Sequence, residues 1–549
     1  MFIYWICLLS ALHCNRVLIH GRRCCKGSSR WAPLTGFLSN TTPTVPFALS
    51  GVTVKASERD AHLSTANNGQ EEYVGSSEYE RLSNYFSEEQ KLVDKEHFQP
   101  LKNSVVRRKV GYEGFIPKGF DLNAIVAVPE LFHENFQLRK EDHWETLMQI
   151  RSLYLDKVSK EKAFQDVSQR RADLAKAYYQ ASESAQNTQR ESNLKLRNDA
   201  RTIESQIKDL TKRITQLVET LPNIVAEDVP RDEFIVQKTS NTQLPNEKTA
   251  TIVPHYEVLE RLSHPCTLKA AEISGTGYSA FSGDLARLER ALSNFMLDTH
   301  HKLFGYKEIS VPLVVGRSTI EKTGHLPRFE EDLFKLDERH QSNGERAYLI
   351  PTGEVPLIAL FGNSRIALDE LPVWLMACTP CFRSEIQDYG RQTRGLIRNH
   401  QFNKVELIGL CDSENSDYFH DLMISHIEFI LQSLELPYRR VLLPATDIGT
   451  TSSKTVDFEV FFPSMNNYIE VSSCSNTLDY QSSRLNLFSK KKSKIHCING
   501  SGLAIGRTLS AILENYQTAD ANNRIEIRIP NVLQPYLDGK EKIREPIAR

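Results

Sequence analysis

The sequence predicts an α+β protein in which a long pair of helices precedes a second domain of mixed structure. Three observations predict this fold class. No proline or glycine, the strongest breakers of helices, occurs between about Glu134 and Leu221. In the second half of that stretch, the apolar residues recur at alternating intervals of four and three. Beyond Leu268, glycines, prolines and short apolar runs alternate with helical stretches, which indicates a domain of both helices and strands.

The composition is that of an ordinary globular protein. The 549 residues are enough for two or three domains, and 40% of them are hydrophobic and 25% charged. The formal net charge is only −2, so the chain as a whole has no basic field that would attract nucleic acid. Any contact with nucleic acid must therefore depend on local basic patches.

The cysteine pattern predicts neither a disulfide framework nor a zinc site. Four of the ten cysteines lie in the first 25 residues. The other six are Cys266, Cys378, Cys381, Cys411, Cys474 and Cys497. Cys378 and Cys381 have Cys-x-x-Cys spacing, but a zinc site needs a second pair or nearby histidines. We therefore expect no zinc, and we interpret the pair as buried thiols on a strand, with a redox pair as the alternative.

Residues 1–57 have the composition of a targeting leader. Residues 2–13 form one apolar run, which is too short to span a membrane and has the length of a signal-peptide core. From Asn15 to Ser57 the chain is basic and rich in serine and threonine, and the first acidic residue is Glu58, as in a transit peptide. This order predicts a two-step route to a plastid bounded by extra membranes, without stable membrane association. A mitochondrial presequence and a wrongly assigned start codon are the alternatives.

The rest of the chain divides into three regions by composition. Residues 58–115 are polar and mixed in charge, which predicts a linker or a loosely ordered extension. Residues 116–230 contain the helical pair. Residues 231–549 form the second domain of mixed structure.

The helical pair is predicted to be an antiparallel coiled-coil arm. The second helix has an a/d seam of Ile203, Ile207, Leu210, Ile214, Leu217 and Leu221. The first helix has a looser apolar stripe of Trp144, Leu147, Ile150, Leu153, Val158, Phe164, Val167 and Leu174. The small polar residues 181–188 are predicted to form the tip, and Pro222 is predicted to end the second helix. An arm of this length cannot bury itself in a globular domain, so it projects.

Basic residues slightly outnumber acidic residues along the arm. They include Arg170, Arg171, Lys195, Arg197, Arg201, Lys208, Lys212 and Arg213. By itself this charge is most simply the solvated outer face of a coiled coil. It becomes informative only together with the segments that follow.

Three segments of the second domain carry candidate chemistry. In the first, a helical stripe runs into a predicted strand over 304–312. The stripe consists of Leu285, Leu288, Ala291, Leu292, Phe295 and Met296. In the second, residues 379–406 predict a hairpin with arginines on its strands and loop and a turn at Gly390. Such arginines suit a nucleoside triphosphate, since a guanidinium binds phosphate in a bidentate way.

The third segment is a glycine-rich strand that passes directly into an amphipathic helix. Gly500, Gly502 and Gly506 let the backbone approach a ligand closely. Arg507 follows at the start of the helix, where the side chain and the helix dipole both favour phosphate. A lone Gly-x-Gly is weak evidence, but this junction after an arginine-rich hairpin predicts a nucleotide site.

These segments resemble motifs 1, 2 and 3 of class II aminoacyl-tRNA synthetases, and in detail they are similar to the serine–tRNA ligase family. The closer resemblance is carried by Phe-Arg-Ser-Glu (382–385), Thr-Arg-Gly-Leu-Ile-Arg (393–398), His-Gln-Phe-x-Lys-Val-Glu (400–406), Ser-Ser-Cys-Ser-Asn (472–476) and Asn-Gly-Ser-Gly-Leu-Ala (499–504). Thr-Gly-Glu (352–354) resembles the Thr-Ala-Glu or Thr-Ser-Glu of the family. The resemblance runs from about Gly119 to Leu537.

The resemblance implies a catalytic domain with an antiparallel sheet flanked by helices. It implies ATP-dependent ligation of L-serine to tRNA(Ser) through a seryl-adenylate, and the leader assigns this activity to organellar translation. The first segment would form a homodimer interface. The helical arm would grip the variable arm of the tRNA, and the loop 391–398 would meet the end of the tRNA.

The resemblance also assigns individual residues. Thr352, Gly353, Glu354, Arg383, Glu406 and Ser501 would bind serine. ATP would contact Arg383, Ser384, Glu385, Phe402, Glu470, Val471, Ser472, Ser473 and Arg507. Arg383 and Arg507 would be the catalytic residues, and Glu470 and Ser473 would hold a Mg²⁺ ion between the phosphates.

One position departs from the family pattern, and three alternatives remain. Gly353 stands where the family has Ala or Ser, so we expect at most a weaker affinity for serine. A non-catalytic paralogue would be expected to lose Arg383, Glu406 or Arg507, and all three are present. A threonine-specific synthetase would need a zinc cluster of Cys and His. A coiled-coil scaffold explains the arm but nothing after residue 350.

Overall fold

The computed structural model describes residues 121–178, 183–242, 252–385, 394–520, 522 and 524–546. The predicted leader and extension, Gly390 and the first part of the loop 391–398 lie outside the described residues. Among the helices of the described part, none is long and apolar enough to cross a membrane.

The α-helices are α1 (Leu122–Ala127), α2 (Pro129–Gln137), α3 (Trp144–Tyr178), α4 (Glu183–Thr220), α5 (His255–Ser263), α6 (Cys266–Ser274), α7 (Gly283–Phe304), α8 (Arg317–Lys322), α9 (Glu354–Ala359), α10 (Ser416–Ser433), α11 (Tyr480–Arg484) and α12 (Ile505–Asn515). Short 3₁₀ helices occupy Leu368–Glu370 and Asn531–Leu537.

The strands are β1 (Ile235–Thr239), β2 (Lys307–Glu308), β3 (Val314–Gly316), β4 (Gln341–Ser342), β5 (Glu345–Leu349), β6 (Arg365–Ile366), β7 (Val373–Phe382), β8 (Gln401–Asp412), β9 (Tyr438–Leu442), β10 (Lys454–Phe462), β11 (Asn467–Asn476), β12 (Phe488–Ser489), β13 (Ile495–Ala504), β14 (Gln517–Ala519), β15 (Ile525–Arg528) and β16 (Lys542–Arg544).

Helices α3 and α4 form the predicted antiparallel arm. Leu147 near the start of α3 packs in one cluster with Ile214 near the end of α4. Farther along, Arg171 donates a hydrogen bond to Asn193 at 3.5 Å, so the two helices run in opposite directions. With 35 residues, α3 alone is long, and at the usual rise per residue it extends about 50 Å.

The apolar seam of α4 is confirmed, because its six predicted residues are all buried or half-buried. The stripe of α3 is only partly correct, since Trp144 and Val158 are 38% and 44% exposed. The predicted tip is wrong over 183–188, because α4 already begins at Glu183. Glutamate, alanine and glutamine are good helix formers, so the residues from Glu183 onward belong to the start of α4 and not to the tip. Helix α4 ends at Thr220, ahead of Pro222, as predicted.

The root of the arm bends although it contains neither proline nor glycine. Helix α2 ends at Gln137, and Lys140 has a φ of +59°. Between them, the buried Arg139 donates to the carbonyl oxygens of Asn223 and Ile448, each at 3.1 Å. Burial lowers the pKa of Arg139 to about 10. The prediction of helix from about residue 134 is therefore wrong at this point, because long-range hydrogen bonds fix the bend.

The second domain is built on an eight-stranded sheet with the order β1-β9-β10-β11-β13-β8-β7-β2. Every neighbouring pair is antiparallel except β2 with β7. Helices α10 and α12 pack against the sheet, and α7 packs on α12 and on β7 and β8. The prediction of an antiparallel sheet flanked by helices is confirmed.

Each of the three predicted segments has the expected elements. Helix α7 buries all six residues of its predicted stripe and ends at Gly305, whose φ is +71°. The strand that follows is shorter than predicted, since only Lys307 and Glu308 pair with β7. Strands β7 and β8 form the predicted hairpin, and β13 passes directly into α12.

The pair Cys378 and Cys381 lies on β7, but only one of its thiols is buried. Cys381 is buried and Cys378 is exposed, so the prediction of two buried thiols is wrong for Cys378. Burial raises the pKa of Cys381 above its ordinary value, and a thiol with a raised pKa is a poor nucleophile. Its environment therefore does not favour the redox alternative.

Candidate active site

A cleft with a cavity of about 230 Å³ opens between β8, β11, β13 and the start of α12. Eight of the predicted site residues line it: Arg383, Glu385, Phe402, Glu470, Val471, Ser473, Ser501 and Arg507. They come from three parts of the chain, of which the outermost residues, Arg383 and Arg507, are 124 positions apart, so the sheet brings them together. The four residues Thr352, Gly353, Glu354 and Glu406 form an adjacent, buried group.

Arg383 lies at the end of β7, between the cleft and this buried group. Its Nε donates to the carbonyl oxygen of Pro351 at 3.2 Å, next to Thr352 in the chain. Its guanidinium carbon lies 5.4 Å from the centre of the Phe402 ring. These contacts orient a permanent positive charge into the cleft.

Arg507 occupies the third position of α12. Its Nε donates to the carbonyl oxygen of Ile397 at 2.9 Å, and its Nη1 donates to the carbonyl oxygen of Glu470, also at 2.9 Å. A second contact joins Nη1 to the carboxylate of Glu470 at 3.2 Å. The first turn of a helix has unpaired N–H groups and a positive dipole end, so this wall of the cleft favours an anion.

Glu385 and Arg398 form an ion pair on another wall. The Nε of Arg398 lies 2.5 Å from Oε2 of Glu385, and both residues line the cavity. Glu385 has a φ of +45°, a left-handed conformation that is uncommon outside glycine. Such a conformation is held by its surroundings, and it fixes the carboxylate at the edge of the cleft.

A β-bulge on β11 brings Glu470 and Ser473 to the same face. Residues three apart on a regular strand point to opposite sides. Here Ser472 pairs with Phe458 and Glu470 pairs with Glu459, so Val471 is the extra residue of a bulge. Both side chains therefore line the cavity.

The same region contains an acidic residue that the sequence did not single out. Asp457 pairs with Ser473 across the strands, and its Oδ1 is buried without a hydrogen-bond partner within the described residues. Burial and the neighbouring Glu470 raise the pKa of Asp457 well above its usual value. In the described part of the chain, no group of three His, Cys, Asp or Glu side chains could hold a metal ion by itself. Glu470 and Ser473 nevertheless suit Mg²⁺, which binds one or two protein oxygens and takes other ligands from phosphates and water.

Glu406 is the centre of the buried group beside the cleft. Its Oε2 accepts from Thr352 Oγ1 at 2.5 Å and lies 2.6 Å from Nζ of Lys404. Burial raises the pKa of Glu406 above its ordinary value, and Lys404 opposes that shift. Ser501 is its direct partner on β13. The group therefore presents a carboxylate, an ammonium and two hydroxyls in a small space.

Glu354 lies at the start of α9 and is held by Gln481, whose Nε2 donates to Oε1 at 2.6 Å. Gly353 has the ordinary helical φ of −63°, so its backbone does not require glycine. A Cβ at that position would lie 3.2 Å from Cβ of Glu406 and 3.2 Å from Oγ1 of Thr379. A methyl group there would therefore press on Glu406, and the expected effect of Gly353 on serine affinity stays a prediction.

Two predicted residues belong neither to the cavity lining nor to the adjacent buried group, and their hydroxyls bond elsewhere. Ser384 Oγ donates to the carbonyl oxygen of Glu331 at 2.7 Å, outside the cleft. Ser472 is fully buried, and its Oγ donates to the carbonyl oxygen of Ser501 at 2.6 Å. Their side chains position neighbouring segments. Lys404 was missed, although the alternation Phe402, Lys404, Glu406 on one strand places it on the same face.

The comparisons with known proteins agree with this geometry. The model of the tRNA synthetase class II core domain (G, H, P, S and T) matches residues 334–516. The chain is 43% identical over 352 residues to a serine–tRNA ligase of Psychrobacter arcticus. The aligned region covers 63% of this chain and 81% of that relative. The chain belongs to the serine–tRNA ligase family. A serine–tRNA ligase of Cellvibrio japonicus is also 43% identical, over 59% of this chain and 76% of that relative.

The fold agrees with a solved structure of the serine–tRNA ligase family. The structure of seryl-tRNA synthetase from Pyrococcus horikoshii complexed with ATP is similar with a TM-score of 0.70 and 26% identity. The match covers 78% of this chain and all of that chain. As a serine–tRNA ligase, the chain is a class II aminoacyl-tRNA synthetase that attaches serine to tRNA. This identity excludes the scaffold and the threonine-specific enzyme as alternatives.

Proposed function

We propose that the cleft joins serine to ATP as seryl-adenylate, with release of pyrophosphate, and then transfers the seryl group to tRNA(Ser), with release of AMP. One observation supports this most directly. Arg383 contacts Pro351 on the side where Glu406 lies, and it contacts the Phe402 ring on the side of the cleft. A cation in that position faces both a carboxylate and an α-phosphate. In the reaction, a carboxylate oxygen of serine attacks the α-phosphorus, and the bond to pyrophosphate breaks.

Positioning and charge account for the rate enhancement in this proposal. Arg383 neutralises charge on the α-phosphate as the new bond forms, and Arg507 does so toward the leaving pyrophosphate. Glu385 and Phe402 hold adenine, the carboxylate through hydrogen bonds and the ring by stacking. A bound Mg²⁺ ion would neutralise phosphate charge, held by Glu470 and Ser473.

Serine recognition depends on the buried group. Glu406 accepts a hydrogen bond from the serine hydroxyl, with Thr352 and Ser501 beside it, and Glu354 faces the ammonium. Alanine has no hydroxyl and would not form this hydrogen bond to the buried carboxylate, which costs binding energy. The decisive test is serine-dependent exchange of pyrophosphate into ATP with the purified protein. We expect exchange with serine and none with threonine or alanine, and no exchange by the folded protein would contradict the adenylation site.

The arm is proposed to bind tRNA(Ser), with the loop 391–398 near the end of the tRNA. Lys212 and Arg213 are exposed near the end of α4, and they are suited to phosphate contacts. We expect reversal of both charges (Lys212→Glu with Arg213→Glu) to raise the KM for tRNA about tenfold. The rate of serine-dependent pyrophosphate exchange, measured without tRNA, stays within twofold of wild type, because the cleft is unchanged. Arg339→Glu, on the exposed surface of the second domain, is the matched control, and an unchanged KM for tRNA would refute the role of the arm.

We also propose a homodimer formed through α7 and β2. Strand β2 is at the edge of the large sheet, and exposed apolar residues lie nearby in the chain at Ile273, Leu303 and Val314. An interface at this edge of the sheet would cover these side chains. Light scattering of the purified protein gives its mass directly, and a monomer at micromolar concentration would contradict this proposal.

The cellular site is proposed from the leader, and a plastid is favoured over a mitochondrion. Residues 1–57 are apolar at the start, then basic and free of acids. A fusion of these residues to a fluorescent protein, imaged with markers for both organelles, tests the route. Fluorescence that stays in the cytosol would contradict an organellar role.

A further inference from the structure

A nearly buried histidine faces the carboxylate to which we assign the serine ammonium. The Nε2 of His325 lies 3.9 Å from Oε2 of Glu354, and the two side chains are only 14% and 10% exposed. The other oxygen of Glu354 accepts from Gln481. Oε2 is therefore the carboxylate oxygen that is turned toward His325.

The end of α8 fixes the position of His325. The N–H of His325 donates to the carbonyl oxygen of Ile320 at 3.1 Å, and the N–H of Gly324 donates to that of Glu321 at 2.9 Å. This is the pair of hydrogen bonds that closes a helix in a Schellman motif. Gly324 has a φ of +84°, and a Cβ there would lie 2.7 Å from both Thr451 and Tyr480. The turn is thus closely packed, and it fixes where the His325 side chain leaves the backbone.

The hydrogen bonds around the ring determine which nitrogen carries the proton. Nδ1 of His325 lies 3.2 Å from Oγ1 of Thr323. The hydroxyl of Thr323 also faces the carbonyl oxygens of Thr319 and Ile320 at 3.2 and 3.1 Å, so its one proton is directed to a carbonyl. The hydroxyl oxygen therefore accepts from Nδ1–H, and Nε2 of the neutral ring is an acceptor.

The charges around the ring keep it neutral at physiological pH. Burial lowers the pKa of His325 below its ordinary value, and the cations of Arg383 and Lys404 act in the same direction. Glu354 opposes them, since it favours the protonated ring. Among the described residues, these three, from the end of β7, β8 and α9, carry the charges that act on the imidazole.

We propose that His325 is a substrate-binding residue whose Nε2 accepts a hydrogen bond from the ammonium of serine, beside Oε2 of Glu354. The proposal rests on the proposed function, which places that ammonium at Glu354. The carboxylate supplies the charge, and the imidazole supplies a second, directional acceptor. A protonated ring would instead repel the ammonium, so the neutral state is the one that binds.

The test compares His325→Ala and His325→Gln with wild type in serine-dependent pyrophosphate exchange. We expect His325→Ala to raise the KM for serine about tenfold or more, because a hydrogen bond to a charged group is lost. The KM for ATP stays within twofold. His325→Gln restores much of the loss, since its amide oxygen can accept. The exposed His340→Gln is the matched control and has no effect.

A pH series separates substrate binding from a structural role. As the pH is lowered from about 8 to about 5, the ratio of kcat/KM for serine of wild type to that of His325→Gln should fall, because only the wild-type ring gains a charge. A constant ratio, or equal losses for serine and ATP with a lower melting temperature, would overturn the proposal. If wild type catalyses exchange and His325→Ala does so with the same KM for serine, this inference alone is refuted. If wild type itself catalyses no exchange, the proposed function is refuted.

Discussion

Arg383→Ala is expected to lower kcat/KM for serine-dependent pyrophosphate exchange by about 10³-fold. The guanidinium lies between the cleft and the buried group around Glu406, where we propose that the carboxylate of serine meets the α-phosphate of ATP. Removal leaves two anionic reactants without the cation that holds them together. The loss should appear mainly in kcat, because the interaction strengthens as the bond to phosphorus forms.

Three controls make this result interpretable. Arg339→Ala removes an exposed arginine that pairs only locally, with Asp337 at 2.8 Å, and should leave exchange unchanged. Thermal unfolding should show that Arg383→Ala costs only about 1 kcal/mol, the typical value of its hydrogen bond to Pro351. Arg383→Lys keeps the charge but not the forked geometry, so we expect it to recover only part of the activity. Full activity of the alanine variant would remove Arg383 from the mechanism.

Glu406→Ala is expected to lower kcat/KM for serine by about 10²-fold and to abolish discrimination against alanine. The carboxylate accepts from Thr352 and pairs with Lys404, and it is the acceptor we assign to the serine hydroxyl. Without it, serine loses its advantage over alanine. The ratio of exchange rates with the two amino acids measures this directly.

The fold of this variant needs its own control, because Lys404 is buried and would lose its partner. Breaking a buried ion pair costs about 3–5 kcal/mol. Glu406→Gln keeps the shape and an acceptor oxygen, so it should be more stable than the alanine variant and retain more preference for serine. If Glu406→Ala folds and still rejects alanine as wild type does, the hydroxyl is recognised elsewhere.

Much of the candidate site could be predicted from the sequence because local patterns are tied to local structure. Arg383, Phe402 and Glu406 lie on a hairpin that the sequence pattern predicts. Arg507 lies in the first turn of a helix that the glycine-rich strand precedes. Side chains that only support others were harder to find. Ser384 and Ser472 matched family phrases, yet their hydroxyls bond to backbone carbonyls. His325 lies in no such phrase, and its proximity to Glu354 depends on how α8 and α9 pack.

The periodic elements of this protein follow from local patterns in the sequence. The spacing of apolar residues fixed the seam of α4, and Pro222 fixed its end, because helical periodicity and helix breaking are local effects. By contrast, the bend beside Arg139, whose guanidinium donates to distant carbonyl oxygens, and the bulge at Val471 depend on tertiary contacts. That bulge turns Glu470 and Ser473 to one face. Register and long-range hydrogen bonds arise between segments far apart in the chain, so no local pattern encodes them.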